Sequence, residues 1–199
     1  MRFYILCCLL ALLGLSGCTT VTAQNGNTKI VDPGSEDSLG GTGTSSNDVQ
    51  AMAESMARDI AAINWPTIGA EPQIAILPLE NHTRFRIDPK LLQNKLVRDL
   101  VKFARGKVAF LARDSEDAVM AERAKKRAGM YTAGEKAQAM SGADYLLKGE
   151  IRSLSKSSRD GVSDYIVYSF TLINAERGTI LWSNDYETKK EGSVSVIYQ

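Results

Sequence analysis

The spacing of apolar residues changes near Ala143, and that change limits the folds open to this chain more than any other feature. Ahead of it, apolar residues recur three and four apart, the period of an amphipathic helix. Behind it they recur at every second residue, the period of a strand with one face covered. A chain holding both patterns has to build a sheet and lay helices on it.

In the first half, Val49, Met52, Met56, Ile60 and Ile63 form one helical stripe that follows the candidate caps Asn47 and Asp48 and ends near Asn64, before Trp65-Pro66. The run Gln73 to Leu79 is short, apolar and bounded by Pro72, which predicts a buried strand. The clearest helix follows: Asp88 caps, Pro89 takes the first position, Leu92, Leu96, Leu100 and Phe103 form the stripe, and Gly106 ends it in a left-handed turn. Lys107 to Ala112 reads as a second strand. Asp114 or Ser115 opens a helix to about Arg127, with acids near its start and bases near its end. A shorter helix is expected over Thr132 to Met140.

The second half reads as a meander. Tyr145 to Leu154 is one strand, and Ile166 to Leu172 is the alternating core of the next. Ala175 to Gly178 is a turn, and Thr179 to Tyr186 returns with Ile180 and Trp182 on the apolar face. The expected fold class is therefore α+β, or α/β in three layers. It has one mixed or mainly antiparallel sheet of four or five strands, with helices packed on it and a C-terminal three-strand meander.

The other end of the chain poses a different question, that of Cys18. Arg2 is a positive start, Phe3 to Leu13 is an apolar run of about 11 residues, and Ser16-Gly17 precede the cysteine. The run is shorter than the ~20 residues a spanning helix needs. The ending Leu15-Ser16-Gly17-Cys18 resembles the bacterial lipobox, in which the leader is cut before the cysteine and that cysteine is lipidated. An ordinary cleaved leader or a buried thiol is the alternative. The expected organisation is a cleaved signal peptide at 1–17, a lipidated tether at 18–46 and one globular domain at 47–199. With the leader gone, Cys18 is the only thiol, which excludes an intrachain disulfide. Residues 19–46 are rich in Gly, Ser, Thr and Asn without a period. As a coil of about 28 residues they span roughly 30 Å, and pulled straight about 95 Å.

Charge narrows the function. The full chain has 24 basic and 23 acidic residues, and losing Arg2 with the leader makes it formally neutral, which argues against nucleic acid as partner. Residues 84–127 nevertheless hold 13 basic residues against 6 acidic ones. That cluster is either a set of solvated helix faces or a docking surface for an acidic partner or an anionic wall polymer.

No enzyme signature is present. His82 is the sole histidine, and neither HExxH, CxxC, a phosphate loop, GxSxG nor SxxK occurs. No metal, cofactor or catalytic residue is expected. The loop Glu80 to Arg86 is the better candidate, because it leaves a buried strand and is tied down by the Asp88-Pro89 cap. Its residues Asn81, His82, Thr83, Arg84, Phe85 and Arg86 either bind a partner or, for Asn81 and Thr83, satisfy a tight turn.

Taken together, the lipobox, ILPLENHT with the Asp88-Pro89 helix, GADYLLKGEI from Gly142 and FTLINAERGTILWS from Phe170 resemble the LpoB family over about residues 48 to 186. These are outer-membrane lipoproteins that activate bifunctional penicillin-binding proteins. Related patterns occur in the curli-secretion CsgG proteins and the N-terminal domain of TolB. The resemblance implies a non-enzymatic activator, monomeric in its soluble domain. Its lipid at Cys18 sits in the outer membrane, as Thr19 after the cysteine also suggests, and its domain docks in the periplasm on a class A penicillin-binding protein. The family's tether is often longer and Pro-rich, whereas this one is short and Gly/Ser-rich. The alternative is a lipoprotein subunit of a secretion or surface assembly resembling CsgG.

Overall fold

A computed structural model describes residues 29–37, 40–65, 71–132 and 139–193. The chain divides into two units, Met1–Asp32 and Pro33–Gln199. The first is described only over its last four residues, all exposed. Cys18 and residues 133–138 of the helix expected over Thr132 to Met140 lie outside the described residues. Among the described residues, no helix is long and apolar enough to cross a membrane.

The second unit is α+β. Helices α1 (Ser46–Ala61), α2 (Pro89–Ala104) and α3 (Glu116–Arg127) accompany strands β1 (Gln73–Ile76), β2 (Glu80–Asn81), β3 (Ala109–Leu111), β4 (Tyr145–Ser157), β5 (Val162–Asn174) and β6 (Ile180–Gly192). The strands form one mixed sheet in the order β3-β1-β4-β5-β6, with β2 also on β4. Pairings of β1 and β2 are parallel, whereas β4-β5-β6 is an antiparallel meander. The sixth strand is β2, two residues whose register sets Glu80 beside Glu150 and Asn81 beside Ile151.

Local chemistry accounts for the helix ends. At α1 the cap is Ser45, two residues ahead of the expected Asn47. Its side chain accepts from the Asp48 amide, while the Asp48 carboxylate accepts from the Ser45 amide at 2.7 Å. This capping box makes Asp48 the third residue of the helix, not its cap. At α2 the expected cap holds: Asp88 Oδ1 accepts from the Lys90 amide at 2.9 Å, with Pro89 next. The left-handed stop begins one residue early, with φ of 49° at Arg105 and 78° at Gly106. The strands of the meander run longer than their apolar cores suggest, each to 13 residues.

The core lies between α1, α2 and one face of the sheet. Met52, Met56 and Ile60 of α1 and Leu92, Leu96 and Leu100 of α2 are buried against Leu147, Ile151, Ile166, Tyr168, Phe170 and Leu172. Burying each of the Leu, Ile, Met and Phe side chains among them favours the fold by about 1.5–3 kcal/mol. Gly149 also points into this core: a methyl there would meet Leu79 Cδ1 at 2.5 Å and Phe170 Cε1 at 2.7 Å. One expectation fails locally. Ile180 is 66% exposed, because the register shifts opposite Leu172/Ile173 and turns it off the apolar face that Trp182 shares. The charge pattern of α3 is as expected, but none of its residues is buried.

The opposite face of β4-β6 is different. Lys148, Glu150, Arg152 and Leu154 on β4, Ser163 to Ile173 at alternate positions on β5, and Leu181 to Glu191 at alternate positions on β6 point away from the helices, and none is buried.

Candidate functional site: a loop across the sheet edge

The loop after β2 alternates in exposure. Asn81, Thr83 and Phe85 are half-buried, whereas His82, Arg84 and Arg86 are exposed. The half-buried positions build the loop itself. Asn81 Oδ1 accepts from the Thr83 amide at 3.0 Å, and Asn81 Nδ2 donates to the Phe85 carbonyl at 3.0 Å. The Phe85 amide in turn donates to Thr83 Oγ1 at 3.1 Å. For Asn81 and Thr83 the bland sequence reading therefore describes their contacts: they satisfy the backbone of a tight turn. Phe85 packs against the core.

The exposed positions go to opposite sides of the sheet. The His82 amide donates to the Ile151 carbonyl at 2.9 Å, which continues the β2-β4 pairing, and its ring lies 3.0 Å from Glu80 on the outer face. Parallel register and a two-residue period bring Glu80, His82 and Glu150 together, one ligand atom each within 4.8 Å of one another. This trio is the only histidine's immediate setting, and sequence spacing did not reveal it because Glu150 is 68 residues away from His82. Its carboxylates are already engaged. Arg152 donates to Glu150 at 2.9 Å, Lys148 lies 3.9 Å from it, and the Arg152 hydrogen bond holds the Glu150 carboxyl below the usual range. A metal would have to displace Arg152, so the trio is an ion-pair cluster on an open surface.

Arg84 turns the other way. It donates to both oxygens of Asp164, at 2.9 and 2.6 Å. Asp164 occupies an inward position of β5 and its side chain is fully buried. Ser155 and Thr42 also donate to this carboxylate. Burial alone would raise its pKa, but the hydrogen bonds from Ser155, Thr42 and Arg84, with the Arg84 charge, hold it below the ordinary value.

Thr42 belongs to a segment ahead of α1 that covers the inner face beyond the helices. Thr42 is 2% exposed. Thr44 and the buried Tyr168 share a hydroxyl hydrogen bond of 2.6 Å. Lys190 donates to the Gly43 carbonyl at 3.0 Å and to Asp48 at 2.5 Å. Gly43 also lies on the Phe85 ring, where an added methyl would sit 3.2 Å from Cδ1. None of Thr42, Asp164 or Lys190 stood out in the sequence. The one available signal was Asp164, an acid two residues before Ile166 in the strand alternation.

Arg86 makes no ion pair among the described residues. The loop thus offers His82 and Arg86 outward from an edge that Arg84 ties to the inner face, beside a sheet face that no helix among the described residues covers.

An α+β module in which, among the described residues, helices cover one sheet face and not the other, with a loop pinned across the edge between them, is the class that fold and site define. The chain belongs to the LpoB family: the family model described as peptidoglycan-synthase activator LpoB matches residues 48–188. Among solved structures it is similar to the LpoB C-terminal domain from Salmonella enterica (11% identity, TM-score 0.44, 71% of this chain and 98% of that chain). It is also similar to that from Escherichia coli (14% identity, TM-score 0.42, 71% and 98%). A third similarity is to the PelC dodecamer from Paraburkholderia phytofirmans (16% identity, TM-score 0.31, 66% and 80%). No curated protein matches the chain in sequence.

Proposed function

We propose that the chain is an outer-membrane lipoprotein that binds a class A penicillin-binding protein in the periplasm and activates its synthesis of peptidoglycan. The observation that carries this reading is membership of the LpoB family across nearly all of the folded unit. In this reading residues 1–17 are a signal peptide, acyl chains on Cys18 hold the protein to the membrane, residues 18–46 form the tether, and residues 47–199 dock. The action is non-enzymatic: the domain changes its partner's rate by contact alone.

The docking surface is the 80–86 loop with the adjoining outer face of β4-β6. His82 and Arg86 are outward and basic, a composition suited to an acidic surface on the partner, while Arg84 is held inward by Asp164. Exposed charges of this kind steer association and set specificity more than they add raw affinity. Membrane distance adds a requirement: with residues 42–46 packed on the domain, the free tether is shorter than about 28 residues and has to extend toward a limit below ~95 Å for the domain to approach an inner-membrane partner.

The test uses purified protein and a class A synthase from the same cell. Binding together with faster glycan polymerisation is expected, and the absence of both would overturn the reading. Cys18→Ala should release the protein from the membrane fraction without unfolding it, and continued membrane retention would remove the lipid assignment.

A further inference from the structure

We infer that Asp164 is a positioning residue: it fastens the docking loop to the last residues of the tether, so that the geometry of the loop depends on the tether's end being seated. The inference rests on the docking role given to residues 80–86 above, and it adds a control that no feature of the loop itself supplies.

Three elements distant in sequence meet on this one buried carboxylate. Arg84 comes from the loop, Ser155 from β4 and Thr42 from the segment before α1. A second contact joins loop and segment independently, since the Phe85 ring rests on Gly43. The segment is held from its other side as well, by Thr44 on Tyr168 and by Lys190 on the Gly43 carbonyl. The residues that end the tether are therefore part of the inner face, and they meet the loop twice, at Phe85 directly and at Arg84 through Asp164.

The physical consequence is linkage. A carboxylate with no solvent exposure needs its donors, and losing one leaves charge or lone pairs uncompensated in a low-dielectric site. When Thr42 and Gly43 lift out, Asp164 loses a donor and Phe85 loses its cover, so the loop's ordered state weakens with them. Conversely, a partner that binds the ordered loop favours the seated segment by the same free energy. Because the tether runs into this segment, a pull along it that frees the Pro33 attachment to Ser46 acts next on Thr42 and Gly43, and thus on the loop.

The experiment is hydrogen exchange on the full-length protein, comparing wild type with Thr42→Val, Thr42→Ser and the core variant Ile60→Val. Thr42→Val removes the donor without touching the loop, and Thr42→Ser restores it. Exchange at the amides of residues 82–86 should rise about five- to tenfold in Thr42→Val, the size expected for one buried hydrogen bond. It should rise together with exchange at residues 42–45 and return to the wild-type level in Thr42→Ser. Ile60→Val loosens the fold without entering this network and should leave the loop's exchange unchanged relative to the core strands. If Thr42→Val loosens only residues 42–45, or if Ile60→Val frees the loop equally, the coupling is overturned. The affinity of the same variants for a class A synthase gives a separate readout. Failure of the wild type to bind any synthase would remove the docking role, while the exchange result would still decide whether loop and tether are joined.

Discussion

The two faces of the sheet use the same kinds of charged residue to opposite ends. On the inner face Arg84, Thr42 and Ser155 converge on the Asp164 carboxylate, which has no exposure. On the outer face Lys148, Glu150 and Arg152 pair along one strand, with Arg152 62% exposed. An exposed pair exchanges protein partners for water at little cost, whereas a buried carboxylate that loses a partner keeps its desolvation penalty. Inner charges therefore specify the fold, and outer charges are left available for contact with another molecule.

The sharpest way to break this contrast is Asp164→Ala, which leaves Arg84 without its carboxylate and orphans two hydroxyl donors. It should cost about 3–5 kcal/mol in urea unfolding. A cost under about 1 kcal/mol would place the network with the surface pairs. Next in size is Gly149→Ala, where the new methyl overlaps Leu79 and Phe170 side chains. The expected loss is about 1–3 kcal/mol, read from the same unfolding curves.

Acidity probes the inner network in another way. The Asp164 carboxyl titrates lower in the folded chain than in the unfolded one, so its contribution is fully present above the ordinary carboxylate value of about 4 and is lost as pH falls through the lower folded value. The urea midpoint should therefore fall on acidification below about pH 4, and Asp164→Asn should flatten that limb. The smallest effect belongs to the outer face. Arg152→Ala should change stability by about 0–1 kcal/mol, in thermal or urea unfolding, although it removes two donors from Glu150.

The same contrast explains what was legible in the sequence. Periodicity gave the stripes of α1 and α2 and the alternation of β5, because burial along a single element repeats at that element's own period. Asp88-Pro89 marked its helix start because a cap acts over two or three residues. The inner network was not legible: Thr42 and Asp164 are 122 residues apart, and nothing local in TGTSS says which residue its threonine will meet. The start of α1 was set too late for a related reason, since the acid expected to cap serves instead in the capping box of Ser45. Ile180 was misplaced because one residue of register shift moves a side chain to the other face. Of the loop, Asn81 and Thr83 build the turn, His82 and Arg86 face outward, and Arg84 reaches inward to Asp164. The pairing of Glu80 with Glu150, which gives His82 its setting, follows only from the parallel register of β2.

If outer charges serve contact and inner ones serve the fold, then a charge reversal at an outward loop position must change binding and leave stability alone. Arg86→Glu is the cleanest case, since Arg86 is exposed and makes no ion pair among the described residues. The decisive measurement is the affinity of the full-length protein and of this variant for a purified class A penicillin-binding protein. Binding by the wild type, weakened about tenfold or more in Arg86→Glu at an unchanged melting temperature, is the expected result. Equal affinity for wild type and variant, or no binding by either, would contradict the docking role of the loop.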